Sequence, residues 1–250
     1  MVMLERRYAD ELEEDVLDRL WSMFGSISHQ LLEESAPDDE LSEDRLFAEI
    51  AERTISGQFD GYHPAFARLD DYKVTSVWTI IFESRLEEWE QQLNILAYLI
   101  RKAKHEIRTL RIVTILRDWS KSKALQGGDY PPCPIQIMEF PVWSESEAET
   151  FIRLRVLLMI ANENLPDDDL IPCTPEEMWE KPTVYAVMKD GRSSAVKLFN
   201  DKVSAGDFCA SAGKGHSVVT RQGKRTRCED YCNVNKFCNI YKAYLALKEA

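Results

Sequence analysis

Asp60 stands in the stretch Ser56-Gly57-Gln58-Phe59-Asp60-Gly61-Tyr62-His63-Pro64, and Asp71 and Lys73 follow in Leu69-Asp70-Asp71-Tyr72-Lys73. Two carboxylates and an ammonium gathered on one side of a sheet can hold a divalent cation and prepare a water for attack on a phosphate ester. The spacing argues for that gathering. Alternate side chains of a strand share a face, so Asp71 and Lys73 project together while Asp70 and Tyr72 point the other way. Ser56 to Tyr62 and Ala67 to Ser76 read as strands, and the His63-Pro64 break between them suits a turn. A hairpin there returns Asp71 to Asp60. Taken alone, D-x-K is also what a surface hairpin with a simple salt bridge would show, and such a pair stabilises little.

The elements that must position these groups follow from periodicity. Leu12, Val16, Leu20, Phe24, Ile27 and Leu31 recur at helical spacing, predicting one helix from Tyr8 to about Glu34, ended by Pro37. Ser42 is a candidate cap for a second helix reaching about Ala51. After the hairpin, Leu86, Trp89, Leu93, Leu96 and Ile100 line one side of a helix from about Ser84 to Lys104. Ile107 to Leu116 and Pro134 to Val142 are rich in β-branched residues and read as strands. Ser144 with Glu147 makes a capping box that opens a helix to about Asn162. These elements predict an α/β fold with a three- or four-stranded mixed sheet flanked by helices.

Past Leu165 the texture changes. Pro166, Pro172, Pro175 and Pro182 punctuate a loop-rich stretch, and Asp190-Gly191 suggests a hairpin between Val184 to Lys189 and Ser193 to Phe199. The expected organisation is a core over residues 1–164 and a cysteine-bearing C-terminal appendage over 165–250, packed on that core.

At 250 residues and 44% hydrophobic, the chain is long enough to bury a real core. No run approaches the roughly 20 apolar residues of a membrane helix, and the acidic N-terminus lacks a signal-peptide charge pattern. A soluble, cytoplasmic protein with no membrane partner is expected. The net charge of -12 is unusual for a nucleic-acid binder, but it is unevenly distributed. Residues 1–50 carry 15 acids against 4 bases, whereas 101–123 carry 8 bases against 2 acids and 214–248 carry 8 against 2. A phosphate-binding face is therefore compatible with the acidic total.

Further residues line up with the opening triplet. Gly25 and His29 lie upstream in Phe24-Gly25-Ser26-Ile27-Ser28-His29, and Gln92-Leu93 lies downstream on the helix after the hairpin. With these motifs in this order, residues 25–98 resemble the PD-(D/E)XK nuclease superfamily, and within it the RecB-like exonucleases of CRISPR-associated and phage types. The matches are Gly25 with His29, Gly57 with Asp60, Asp71 with Lys73, and Gln92 with Leu93. The resemblance implies a restriction-endonuclease-like core. It also implies Asp60, Asp71, Lys73 and Gln92 as catalytic residues, and a Mg2+ or Mn2+ ion held by His29, Asp60, Asp71 and the Tyr72 carbonyl. The chain departs from the pattern in having Leu96 where a tyrosine is usual, with Tyr98 two places later. The acid often found ahead of the G-x-x-D strand is expected at Glu49 or Glu52.

Cys228, Cys232 and Cys238 fall within 11 residues, which in an intracellular chain argues for metal rather than disulfides. Cys173, Cys209 and Cys133 are candidates for a fourth ligand, with His216 less suited; Cys133, between Pro132 and Pro134, also reads as an ordinary buried thiol. Four thiolates suit either a 4Fe-4S cluster or Zn2+, and the spacings lack the paired knuckles of a zinc ribbon. The resemblance favours the cluster and, through Ile171-Pro172-Cys173, favours Cys173 as its fourth ligand. Such a cluster would hold Lys224, Arg225 and Arg227 near DNA. The expected activity is a metal-dependent DNA exonuclease of phage recombination or DNA processing, with DNA and a recombination partner protein as partners. The alternatives are a noncatalytic DNA- or partner-binding module and a structure-specific endonuclease.

Overall fold

The computed structural model describes residues 1–12, 16–35 and 40–249. The chain divides into two compact units, Glu14–Ala161 and Met1–Glu13 with Asn162–Ala250. Helix α1 (Val2–Arg7) belongs to the second unit. The first opens with α2 (Val16–Glu34) and runs through strands β1 (Leu41–Ser42), β2 (Arg45–Ile50), β3 (Arg53–Gln58), β4 (Gly61–His63) and β5 (Arg68–Thr75). It continues with helices α3 (Val77–Ile81) and α4 (Leu86–Lys102), strand β6 (Thr109–Leu116), the single turn α5 (Lys121–Ala124), strand β7 (Ile135–Phe140) and helix α6 (Glu145–Glu163).

Five strands form a sheet in the order β1-β4-β5-β6-β7. β5 and β6 are parallel and the other neighbours antiparallel, so the sheet is mixed. The parallel pair needs a crossover, which α3 and α4 supply. β6 buries alternate residues, with Leu110, Ile112 and Leu116 facing inward, and α4 lays Trp89, Leu93, Leu96, Ala97, Leu99 and Ile100 into the same core. Buried Asn94 fastens the helix to the far edge, donating to the Pro141 carbonyl at 3.0 Å and accepting from the Trp143 N–H at 2.8 Å. The capping box forms as expected: the Ser144 N–H donates to Glu147 and the Glu147 N–H to the Ser144 hydroxyl.

The sheet has five strands where three or four were expected, and the strand expected over Ser56 to Tyr62 divides between β3 and β4, which lie in different sheets; two further expectations also fail. The stretch from Ser42 to Ala51 is not a helix. Ser42 ends β1, and Arg45–Ile50 pairs with Arg53–Gln58 as a hairpin. Its alternating Leu46, Ala48 and Ile50 turn inward against the α4 core, and Ala51 and Glu52 take the left-handed turn at φ 50 and 58. The helix predicted from Tyr8 to about Glu34 is present as α2 from Val16, with Ala9–Glu11 a separate 3-10 turn, and much of its apolar stripe does not face the core: Leu20, Phe24, Ile27 and Leu31 are exposed. The half-buried face of α2 carries Gly25, Ser28, His29 and Leu32 instead.

The second unit places β8 (Glu180–Lys181), β9 (Val184–Lys189), β10 (Lys197–Phe199), α7 (Lys202–Ala212), β11 (His216–Arg221), β12 (Lys224–Arg225), α8 (Thr226–Asp230) and α9 (Asn239–Glu249) in chain order. β9 is central in a small sheet between β10 and β11, and Gly191 takes the positive φ of the predicted turn. The first residues of the chain belong here, where a core over 1–164 was expected. Tyr8 stacks on Phe237 with centroids 3.9 Å apart, Arg7 and Tyr8 engage Asp167, and Lys236 donates to the Glu11 carbonyl. No helix of the described residues is long and apolar enough to cross a membrane.

On the sheet face opposite Asp71, Asp70 is 2% exposed and fully neutralised. Arg111 donates to both its oxygens at 2.7 Å, and Arg68 and His63 each contact it at 3.1 Å. Burial, with Glu40 and Asp70 close by, pushes the neighbouring Tyr72 hydroxyl up to about 12. Removing one member of a buried pair strands the other charge, whereas replacing both is far cheaper. Arg111→Leu is expected to destabilise the fold by about 3 kcal/mol in urea melts, and Arg111→Leu with Asp70→Asn by clearly less. Equal losses in the two variants would contradict the assignment of Asp70 as the stranded charge.

Candidate active site

β4 and β5 pair with Gly61 opposite Asp70, which sets Asp60, one residue before β4, beside Asp71. The Tyr72 N–H donates to Asp60 Oδ2 at 2.7 Å, fastening the two carboxylate-bearing segments together. The contact that Tyr72 makes here runs through its amide, where its carbonyl had been expected as a ligand. Asp71 is 1% exposed. Its Oδ1 accepts from Gln92 Nε2 on α4 at 3.0 Å, and Lys73 Nζ lies 2.5 Å from its Oδ2. The Lys73 approach is close but poorly directed, so Oδ2 is a buried oxygen without a well-formed hydrogen bond. A site that leaves a carboxylate oxygen in that condition fits a cation better than a purely structural pair.

His29 reaches the other side of Asp60 from α2, with Nδ1 3.4 Å from Asp60 Oδ1 and 3.6 Å from Glu43 Oε1. Among the described residues His29, Glu43 and Asp60 bring one ligand atom each to within 4.8 Å of one another. Glu43 is the residue that sequence reasoning missed. It follows β1, its N–H donates to the Asp60 carbonyl at 3.2 Å, and Gln58 Nε2 donates to its Oε2 at 2.6 Å. Glu49 and Glu52, the two acids expected in this role, are elsewhere: Glu49 accepts from Thr54 across the hairpin, and exposed Glu52 sits in the turn. The sequence signal for Glu43 was its place just ahead of the β2–β3 hairpin, visible only once that hairpin is known.

Two of the motif glycines differ in what they do. A methyl on Gly57 would lie 2.7 Å from Leu96 and 2.9 Å from Leu99, so its absence lets α4 pack closely on β3. A methyl on Gly25 would meet nothing within 4 Å. Tyr98 is buried in the core, under the Lys102 ammonium at 4.9 Å from its ring.

The electrostatics join these groups into one site. The hydrogen bond to Asp60 raises the His29 pKa, with Asp60 and Glu43 adding to it against partial burial and Lys73. Burial raises Asp71 to about 6, opposed by Lys73 and assisted by the Asp60 charge. The Glu43 and Asp60 carboxylates with the His29 imidazole form a converging, oxygen-dominated donor set with one nitrogen, and Asp71 lies beside Asp60; such donors suit Mg2+ or Mn2+.

The other predicted residues lie in the second unit. Cys173, Cys232 and Cys238 each act electrostatically on Cys228, and burial raises both the Cys228 and Cys232 thiols. Cys209 lies on α7, outside the leading influences on the Cys228 and Cys232 thiols. Cys133 is exposed, contrary to its reading as a buried thiol, and its Sγ contacts the Ile135 carbonyl at 2.9 Å. The three cations expected near DNA are engaged within the unit. Lys224 pairs with Asp230 at 2.7 Å, Arg225 with Glu180 at 3.1 Å, and Arg227 lies over the Trp179 ring while donating to the Glu177 carbonyl.

No protein-family model matches the chain, and no curated protein matches it. Among solved structures, SSO0001 is similar at 16% identity and a TM-score of 0.41, covering 67% of this chain and 74% of that one. A protein from Eubacterium rectale named as a candidate exonuclease is similar at 11% identity and a TM-score of 0.37, covering 68% and 69%. At these values the likeness carries no argument about function.

Because the folded-state pKa of Asp71 is raised, the folded protein binds this proton more tightly than the unfolded chain does. Its contribution favours folding at low pH and is lost as pH rises from 3.8 through about 6. In EDTA, the stability gain from Asp71→Asn should therefore grow from pH 4 to 7, by on the order of 3 kcal/mol, and Mn2+ should shrink that gain by stabilising the carboxylate. Melts at a series of pH values test this, and a gain that does not vary with pH would contradict it.

Proposed function

We propose that the first unit is a divalent-metal-dependent deoxyribonuclease of the RecB-like PD-(D/E)XK type, acting as an exonuclease on DNA ends in recombination or processing. The observation that carries this reading is the buried Asp71 carboxylate, held between Lys73 and Gln92 and joined through Asp60 to His29 and Glu43. His29, Glu43, Asp60 and Asp71 are the residues that would hold a divalent cation. The ion would neutralise phosphate charge and acidify a bound water.

The chain's own groups supply the remaining work. Gln92 fixes the Asp71 carboxylate and so limits where Lys73 can place its ammonium. Lys73, at the edge of the buried pair, would orient the attacking water and donate to a phosphate oxygen as negative charge builds in the transition state. Asp60 and Glu43 beside His29 favour its protonated ring, so a cation held there would compete with a proton for Nδ1.

In the second unit, the reading is a 4Fe-4S cluster on Cys173, Cys228, Cys232 and Cys238. Its support is the sequence spacing of the trio, which lacks the paired knuckles of a zinc ribbon, together with the influence of Cys173, Cys232 and Cys238 on the Cys228 thiol.

Linear DNA incubated with Mn2+ or Mg2+ is expected to be degraded by the wild type, with Lys73→Ala reducing the rate by a factor of about 100 or more while the protein remains folded by circular dichroism. Full activity of Lys73→Ala would sink the assignment, and rapid cutting of covalently closed circles would make the enzyme an endonuclease instead. For the cysteines, anaerobically purified protein should contain close to four irons per chain. Cys173→Ser should lose them and Cys209→Ser retain them, as read by metal analysis and visible absorption. Stoichiometric zinc without iron would replace the cluster by a single ion.

A further inference from the structure

β5 carries Asp71 and Lys73 and ends at Thr75, and α3 begins at Val77. Residues i and i+1 of a helix face different ways, and on α3 the difference is large. Val77 is buried and Ile80 packs on the core, whereas Trp78 is 46% exposed and Phe82, four residues on, is 69% exposed. The two rings stack on each other with centroids 5.6 Å apart and planes 18° off parallel. Among the described residues this is the stacked aromatic pair with both members exposed. Core packing does not account for it.

Cations gather at the same edge of an otherwise acidic chain. Lys123 Nζ sits 5.6 Å from the Trp78 centroid and 5.9 Å from that of Tyr130. Arg117, Lys121 and Lys123 are exposed in the segment that follows β6. The acid among them, Asp118, is occupied, accepting from the Ser76 hydroxyl at 2.6 Å and the Val77 N–H at 2.7 Å. Beyond Phe82 the exposed charges are Glu83, Arg85, Glu87 and Glu88. The patch is also held firmly. Asp118 ties the start of α3 to the end of β6, the Ser120 N–H donates to the Tyr130 hydroxyl, and Trp119 Nε1 donates to the Pro131 carbonyl.

Flat apolar rings flanked by ammonium groups are the chemistry that receives unpaired bases with their phosphates. We propose that Trp78, Phe82 and Lys123 form a stacking platform for single-stranded DNA, a subsite separate from the metal-binding carboxylates and on the same strand-helix connection. The proposal rests on the nuclease reading for its choice of DNA as occupant. Lys73 and Ser76, which caps α3, are separated by roughly 10 Å along an extended strand, so the helix carrying Trp78 starts close along the chain to the Asp71–Lys73 pair. A duplex offers base faces only at its ends, so the platform would select single strands and frayed termini.

The test is fluorescence anisotropy of the full chain in EDTA, where no cleavage can occur. The probes are a labelled oligothymidylate of about 20 nucleotides, an abasic strand of the same length and a blunt duplex. Trp78→Ala with Phe82→Ala is expected to weaken binding of the oligothymidylate by about tenfold or more and to leave the abasic strand within about twofold. Tyrosine at both positions should restore most of the loss. Lys123→Gln should weaken both single strands and lower the salt slope by about one. Unchanged oligothymidylate affinity in the double variant, an equal loss on the abasic strand, or no binding of either strand by the wild type would overturn the platform. These outcomes are independent of catalysis: a platform that binds in a chain that cannot cut would refute the nuclease reading alone, and a nuclease indifferent to Trp78 and Phe82 would refute the platform alone.

Discussion

The fold's treatment of two adjacent carboxylates explains much of the first unit. Asp70 and Asp71 are neighbours on one strand, both almost wholly buried, and they face opposite sides of the sheet. A buried carboxylate must be neutralised or made to pick up a proton. For Asp70 the structure chooses neutralisation, with a bidentate arginine, a second arginine and a histidine around it. For Asp71 it provides one ammonium at an imperfect angle and one amide, and leaves the acid with a raised pKa. The means to saturate a buried carboxylate exist a residue away, so the under-provision at Asp71 is a property of that face and not of the fold. A buried carboxylate left in that condition is one that a cation would stabilise.

The same logic governs His29. Its imidazole shares the space between Asp60 and Glu43, and those carboxylates favour the protonated ring. A proton on His29 therefore stands in for part of the charge that a divalent ion would bring. The helix carrying it turns its polar, half-buried side inward and leaves Leu20, Phe24, Ile27 and Leu31 in solvent, the reverse of the usual amphipathic arrangement.

Short-range geometry in the site was legible in the sequence, and longer-range geometry was not. The strand alternation of Asp71 and Lys73, the turn near His63-Pro64 and the helix presenting Gln92 are each set by a few consecutive residues, and each appears in the structure. Glu43 was hidden because the two-residue strand that places it has no periodicity to detect and exists only through its pairing with β4. The β2–β3 hairpin was mistaken for a helix because its turn uses Ala51 and Glu52 at positive φ, where glycine or asparagine is the recognisable signal. The attachment of the first residues to the second unit rests on Tyr8 meeting Phe237 and on Arg7 meeting Asp167, contacts across most of the chain length that no local pattern encodes.

Charge shows why counting residues misleads and pairing decides. Two basic segments offset the acidic total almost equally in the sequence, yet their cations differ in what surrounds them. Lys224 and Arg225 are matched with Asp230 and Glu180, and Arg227 lies on Trp179, so the field that these three project is largely cancelled within the second unit. After β6, Asp118 is turned to hold the start of α3 while Asp129 is exposed, and Lys123 sits over the exposed Trp78 and half-buried Tyr130 rings. A polyanion approaching a protein of net charge -12 is repelled on average, so any surface that receives one must set cations beside area that can be desolvated. In the first unit exposed Lys123 lies over Trp78, on the helix that follows the strand bearing Asp71 and Lys73.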